Sequence, residues 1–279
     1  MIIRSVFAAV LGLAAVLLAA AALPSAWLQR NVLDEAGFVA LTEPMVEDQG
    51  FRSELSAAVA GDIGRQLGAQ PALAAVAAPV IERVAGRLTE LDGFPEAWRE
   101  SVAASHRLSL ADPERPELAV QAAPLADLAV REVAAGLGVD LPPAGNLTVR
   151  FDDAGLGGYL AAAVRAAAAW SWLAAGAVVA ALAAVLLAVR KAGAVFWLGA
   201  GMAAAGLLLW TAAGQLPALA GRVSGAPLAG AFAARLAELS TEGFQPWAAV
   251  LAGAGVLALL AGLVAGLFAG PAGRRGSSR

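Results

Sequence analysis

The sequence predicts an all-α membrane protein with four transmembrane helices and a mostly helical extracytoplasmic domain inserted between spans one and two. Three observations carry that prediction. Hydrophobic residues make up 59% of the 279 residues and mean hydropathy is +0.71, above the roughly 45–50% apolar share of a soluble domain. Charged residues, only 15% of the chain, are missing from four long windows, so the apolar excess is gathered into blocks. The arginines and the single lysine that flank those blocks on one side have no acid among them.

The first block, Val6–Leu28, opens after Arg4 and ends at Gln29 and Arg30. At about 20 or more residues it can cross a roughly 30 Å hydrocarbon core, and residues 1–28 read as an N-terminal transmembrane helix. Ala20, Ala21 and Ala22 would suit a signal peptidase, but the run exceeds the roughly 7–15 residues of a secretory h-region, so the span is read as retained. Ala166–Val189 and Ala192–Gly214 are separated only by Arg190 and Lys191, which makes residues 166–214 a transmembrane hairpin. Trp247–Gly270 is the fourth run, giving a span over residues 247–270. Residues 271–279 form a basic tail with Arg274, Arg275 and Arg279.

Arg4, Arg190, Lys191, Arg274, Arg275 and Arg279 occupy short segments, while all 22 acids lie in residues 29–165 and 215–246. Lys and Arg are enriched in cytoplasmic loops. Both termini and the Arg190-Lys191 turn are therefore expected in the cytoplasm of a multi-pass cell-membrane protein, with residues 29–165 outside. That larger segment carries 11 Arg against 20 Asp and Glu, a net of −9, a surface that repels the phosphates of nucleic acid. The four runs hold no Asp, Glu, Lys, Arg or His, which argues against ion-coupled transport, since such carriers use intramembrane charges. Gly262 and Gly266, with Ala258 before them, form a small-xxx-small pair, and Gly199, Ala203 and Gly206 give span three a thin side. Such pairs let helices approach closely, including between copies of a homo-oligomer through Gly262 and Gly266. Trp27, Trp170, Trp172 and Trp247 stand at outer span ends and read as headgroup anchors.

In residues 29–165 apolar side chains recur at three or four positions: Phe38, Leu41, Met45, then Phe51, Leu55, Val59, Ile63 and Leu67. This is a helical core stripe. Pro71–Leu91 continues it through Leu73, Val76, Val80, Ile81, Val84 and Leu88, with Glu82, Arg83 and Arg87 on the wet side. After the Asp92-Gly93 turn, Phe94–Leu110 is a helix with Pro95 in its first turn, where the missing N–H costs nothing. Pro116–Leu137 reads as a helix kinked or divided at Pro124 and ended by Gly136 and Gly138. Pro142-Pro143 excludes helix interior, and residues 146–151 alternate as one short strand or extended segment, which needs a pairing partner. Asp152 or Asp153 caps a helix running from Ala154 through Arg165 unbroken into span two, a coupling that a joint at Gly155, Gly157 and Gly158 would undo. Residues 215–246 form an outer loop with Leu228, Phe232, Leu236 and Leu239 at helical spacing. That amphipathic helix rests on the domain or in the membrane interface and is ended by Gly243 and Pro246.

The chain has no Cys and one His, which removes disulfides, Cys nucleophiles and multi-His metal sites. His106 shares a helical face with Trp98 and Val102, with Ser101 and Ser105 nearby. A general base beside a serine nucleophile is one reading, but no GxSxG or SxxK stretch accompanies it; a histidine bonded within the core is the simpler one. The acidic pairs Asp34-Glu35, Glu47-Asp48 and Asp152-Asp153 suit helix ends or solvated faces, and neither Asp48 nor Asp152 opens a calcium loop. No catalytic, cofactor-binding or metal residue is assigned, and the expectation is a protein that is not an enzyme and needs no cofactor.

Four stretches carry a resemblance: Trp27–Asp34, Phe38–Asp48, Phe94–Trp98 leading to His106, and Leu147–Asp152. With them the chain resembles the functionally uncharacterised actinobacterial integral membrane proteins that have one N-terminal span, a helical extracytoplasmic domain and a C-terminal three-span cluster. The resemblance implies that fold and makes His106 part of its pattern, and it carries over no catalytic residue. The expected partners are the lipid bilayer and an envelope protein, lipid or cell-wall component that the outer domain binds, scaffolds or senses, with no nucleic acid. Two alternatives stand beside it. Lipid handling or transport would be marked by a membrane-open apolar cavity among the spans. Cell-wall hydrolysis would need a cleft joining His106, Ser101 or Ser105, and a carboxylate.

Overall fold

The computed structural model describes residues 2–57, 79, 83, 86–112, 118–140, 142–143, 148–151, 156–220 and 227–268. In chain order the elements are α1 (Ile2–Leu28), α2 (Glu35–Thr42), α3 (described over 49–57), α4 (Phe94–Ser109), β1 (Leu118–Gln121) and α5 (Ala123–Leu137). They continue as β2 (Thr148–Phe151), α6 (Leu156–Ala168), α7 (Trp170–Leu187), α8 (Lys191–Ala213), α9 (Leu216–Ala220) and α10 (Pro227–Phe268). The chain forms two compact units. One joins Met1–Gln29, Ala166–Leu216 and Ser240–Arg279; the other joins Arg30–Arg165 and Pro217–Leu239.

The first unit is a helical bundle, and the protein is an all-α, multi-pass membrane protein. Among the described residues four helices are long and apolar enough to cross a membrane: Ile3–Leu33, Trp170–Leu187, Lys191–Ala220 and Gly230–Phe268. Small residues set how they pack. Ala8, Ala15 and Ala22 are the buried alanines of α1, one every seven residues, and α7 buries Ala177, Ala180 and Ala184. A Cβ placed on Gly12 would lie 3.7 Å from Leu198 Cδ2 and 4.0 Å from Ala184 Cβ, so α1 sits between α7 and α8.

The α8–α10 seam repeats the same interval from both sides. Ala192, Gly199, Gly206 and Ala213 on α8 face Thr241, Ala248, Gly255 and Gly262 on α10, each set recurring every seven residues. A Cβ on Gly206 would fall 2.5 Å from Ala252 N and 2.8 Å from Ala248 O. One on Gly262 would fall 2.5 Å from Phe196 N and 2.8 Å from Ala192 O. Backbone therefore meets backbone along the seam, with the seven-residue period of left-handed antiparallel packing. At one end of the seam the Thr241 hydroxyl donates to Ala213 O at 2.9 Å. The close partner of Gly262 is thus Phe196 of the same chain, while Gly266 lies at the margin, its Cβ position 4.0 Å from that of Ala192.

Four expectations are corrected here. The helix entering span two is not continuous: Ala169 N–H bonds back only three residues, to Ala166 O at 3.2 Å, and this tightened turn separates α6 from α7. Span four does not begin after a break at Gly243 and Pro246, because α10 runs through both. A proline is tolerated in a spanning helix where neighbouring groups re-satisfy the freed carbonyl. The Pro116–Leu137 stretch is not two helical pieces meeting at Pro124; residues 118–121 are strand, and α5 starts at Ala123 with Pro124 in its first turn, where proline leaves no bond unmade. Trp27 is only 7% exposed, its indole edge-on to Phe244 at 5.9 Å and against Gly243, so it packs inside the bundle. Trp172, at 81%, is open as a headgroup anchor requires.

The second unit is a helical domain. Asp34 caps α2 by accepting from Gly37 N at 2.9 Å, and Asp48 caps α3 by accepting from Phe51 N at 2.7 Å, which explains both acids as helix starts. Met45, Phe51, Leu55, Phe94, Trp98 and Val133 lead a buried core. Leu88 is buried in a short 3-10 turn, Leu88–Glu90. The expected stripe over Val59, Ile63, Leu67 and Leu73–Val84, and the capping role of Asp152 or Asp153, lie outside the described residues. The loop helix docks on this domain: Leu239 is buried in its core, Leu228, Phe232 and Leu236 pack against it, and Phe232 meets Phe51 at 6.2 Å.

Candidate functional site

The polar chemistry of the domain gathers on one face of α4. Its apolar positions, Phe94, Trp98 and Val102, are buried, and so are Ser101 and His106. Serine recurs at every fourth residue, at 101, 105 and 109, and so forms a row along the helix. The row meets β1. Ser109 Oγ accepts from Ala119 N–H at 3.0 Å and donates to Ala119 O at 3.1 Å; Ser105 Oγ accepts from Gln121 N–H at 2.8 Å and donates to Ser101 O at 2.6 Å.

The fit is geometric. Four helical residues rise about 6 Å, close to the roughly 6.6–6.8 Å between alternate residues of a strand. Two hydroxyls one turn apart can thus serve two successive outward N–H groups. β2 pairs antiparallel along the other edge, Leu118 opposite Phe151 and Gln121 opposite Thr148. The isolated strand read at residues 146–151 has its partner, and β1 is held on both edges, one by backbone and one by serine side chains.

His106 closes the opposite flank. Its Nε2 lies 2.9 Å from Val32 O, in the π turn Gln29–Leu33, and its ring lies 5.2 Å from that of Phe38. A π turn leaves backbone groups out of the usual ladder, and a histidine N–H satisfies one of them. Arg107 reinforces the junction with a 2.8 Å ion pair to Glu35. Gly37 is required there, since a Cβ would run into Arg30 O and come within 3.1 Å of Asn31 Cα.

The residues singled out from sequence are therefore brought together, but not as a catalytic group. The Ser105 hydroxyl is committed to Gln121 and Ser101 backbone, and His106 Nε2 to a carbonyl. Ser101, 4% exposed, and Trp98 carry buried polar atoms without a hydrogen-bond partner, inside the core rather than in a cleft. An open groove of about 590 Å³ lies elsewhere, along the end of α5, bordered by Asp127, Arg131, Val139 and Asp140. Gly138, at φ 66°, ends α5 beside it in the left-handed conformation. Among the described residues no three His, Cys, Asp or Glu side chains gather as metal ligands.

Ser109 and the groove were not singled out in the sequence. The four-residue serine spacing was a usable signal for the first; the second has none. Replacing Ser109 by alanine is expected to leave the Ala119 N–H and C=O without their partner, at a cost of about 1–3 kcal/mol. Hydrogen exchange at Ala119 and the melting temperature of the full chain in detergent check it, and unchanged exchange would refute the clamp. No family model, curated protein or solved structure matches this chain.

Proposed function

We propose that this protein is an envelope protein of the cell membrane, related to the actinobacterial proteins its motifs resemble. Its folded domain lies outside the cytoplasm and binds a protein, lipid or wall component there, while the bundle anchors it. The observation that carries this reading is the core shared by the two inter-span segments, residues 30–165 with 217–239. Segments folded into one unit occupy one side of the membrane, so spans two and three return the chain to that side and both termini share the other. The exposed cations Arg4, Arg190 and Lys191, with no acid in their segments, support a cytoplasmic placement of that other side. Two further observations favour binding over chemistry or transport. The hydroxyl of Ser105 and the imidazole of His106 hold the fold, and α8 and α10 close on one another through glycine backbone.

Sidedness is directly measurable because the chain has no cysteine of its own. Asp140→Cys, at an exposed position, is expected to react with a membrane-impermeant maleimide in intact cells, and Ser277→Cys, in the basic tail, only after permeabilisation. The reverse pattern would overturn the orientation. Binding is tested with the full chain in nanodiscs presented to purified wall sacculi, lipid vesicles and envelope proteins. Saturable retention, competed by unlabelled protein, supports the reading. Release of soluble wall fragments, or retention of nothing, overturns it.

A further inference from the structure

The bundle end opposite the Thr241–Ala213 bond carries charge but no acid. Glu242 is the single Asp or Glu within Met1–Gln29, Ala166–Leu216 and Ser240–Arg279, and it adjoins Thr241 at the other end. Arg4, Arg190 and Lys191 are all exposed.

Helix register places these three cations at one level. Gly12 lies against Leu198, and a Cβ on Gly201 would fall 2.7 Å from Val16 Cγ2, so α1 and α8 run parallel with Val16 beside Gly201. Counting back at 1.5 Å per residue, Arg4 lies about 18 Å below that contact and Lys191 about 15 Å. Arg190 adjoins Lys191 in the turn closing α7, and α7 packs on α1 through Gly176 and Leu18. Cations at three adjacent helix ends thus lie at one depth, within about 3 Å of one another along the bundle. Beside them Val6, Phe7 and Val189 are more than half exposed, giving acyl chains an apolar bed. Guanidinium groups suit the paired oxygens of a phosphate, and an ammonium adds a point charge.

We propose that this end of the bundle is a binding site for the phosphate headgroup of an anionic membrane lipid, formed by Arg4, Arg190 and Lys191. Each such cation near a leaflet strengthens anionic-lipid binding roughly fivefold. The test uses full-length protein purified in detergent, titrated with phosphatidylglycerol or diphosphatidylglycerol against phosphatidylcholine and read by native mass spectrometry. Wild type is expected to prefer the anionic lipids roughly a hundredfold, Arg190→Gln to lose roughly fivefold of that, and the triple variant R4Q/R190Q/K191Q to lose the preference. Arg190→Lys should retain most of the preference. Arg99→Gln and Arg107→Gln, on the domain, should change nothing.

Melting in detergent without lipid verifies that each variant is folded, and the single variants decide if the triple one is not. Wild type without preference, or a folded R190Q chain that binds as wild type does, overturns the site. Displacement of the lipid by soluble glycerol phosphate at equal concentration overturns the lipid assignment in favour of free phosphate.

Discussion

Gly199→Val is expected to destroy the α8–α10 seam and destabilise the full chain by about 3 kcal/mol or more, the upper part of the usual range for overpacking. The cause is the nature of the neighbour. A Cβ at Gly199 meets Gly255 O at 2.6 Å and Ala258 C at 2.8 Å, and lies against Leu259 N. Backbone atoms in a helix cannot rotate aside as a side-chain end can, so the helices must part along several turns. In lipid no hydrophobic force draws them back, because association rests on the packing itself. Gly255→Val should act alike from the other helix. Gly253→Ala, with nothing within 4 Å, and Gly266→Ala, at 4.0 Å from Ala192 Cβ, should be close to neutral. Denaturation of the purified chain in detergent ranks the four. Equal midpoints for Gly199→Val and Gly253→Ala would show that the seam does not form. A change of oligomeric state with Gly266→Ala would instead point to contacts between copies.

The spans and their order were legible because run length is a property of the sequence in one dimension. The seam was not. Gly262 and Gly266 stood out at an interval of four, whereas the helices meet through Gly255 and Gly262 at an interval of seven, and in a chain this rich in Ala and Gly both intervals are abundant. Caps were readable, since Asp34 and Asp48 act on residues three positions away. β1 was hidden because its partners are remote: Thr148–Phe151 on one edge and serines of the preceding helix on the other. The break at Ala169 involves neither Pro nor Gly and leaves no local mark. At the candidate site the face shared by Trp98, Val102 and His106 was readable from helical spacing. The Val32 carbonyl, which decides what His106 does, was not, because it depends on a π turn that propensity does not foretell.

Residues 30–165 alone are expected to be too unstable to behave as a folded domain, and to become stable when residues 217–239 are fused to them through a flexible linker. Leu239 is buried in the core of that unit, and Leu228, Ala231, Phe232 and Leu236 pack against it. A fully buried Leu or Phe contributes about 1.5–3 kcal/mol. Counting the partly buried ones at half, the loop helix supplies roughly 5 kcal/mol, comparable to the entire stability of a marginal domain at about 5–15 kcal/mol. Phe232→Ala in the full chain isolates part of this, with an expected loss of about 2 kcal/mol, below the fully buried range because Phe232 is only partly covered. Circular dichroism and melting of the two fragments give the direct comparison. A cooperative transition for 30–165 alone, at the temperature of the fused form, would mean that the loop helix merely lies on a finished surface. The expected result has a mechanical consequence. A domain that needs a segment from between spans three and four cannot separate from the bundle by unfolding one linker, because its core is tied to the membrane at Arg30, Arg165, Pro217 and Leu239.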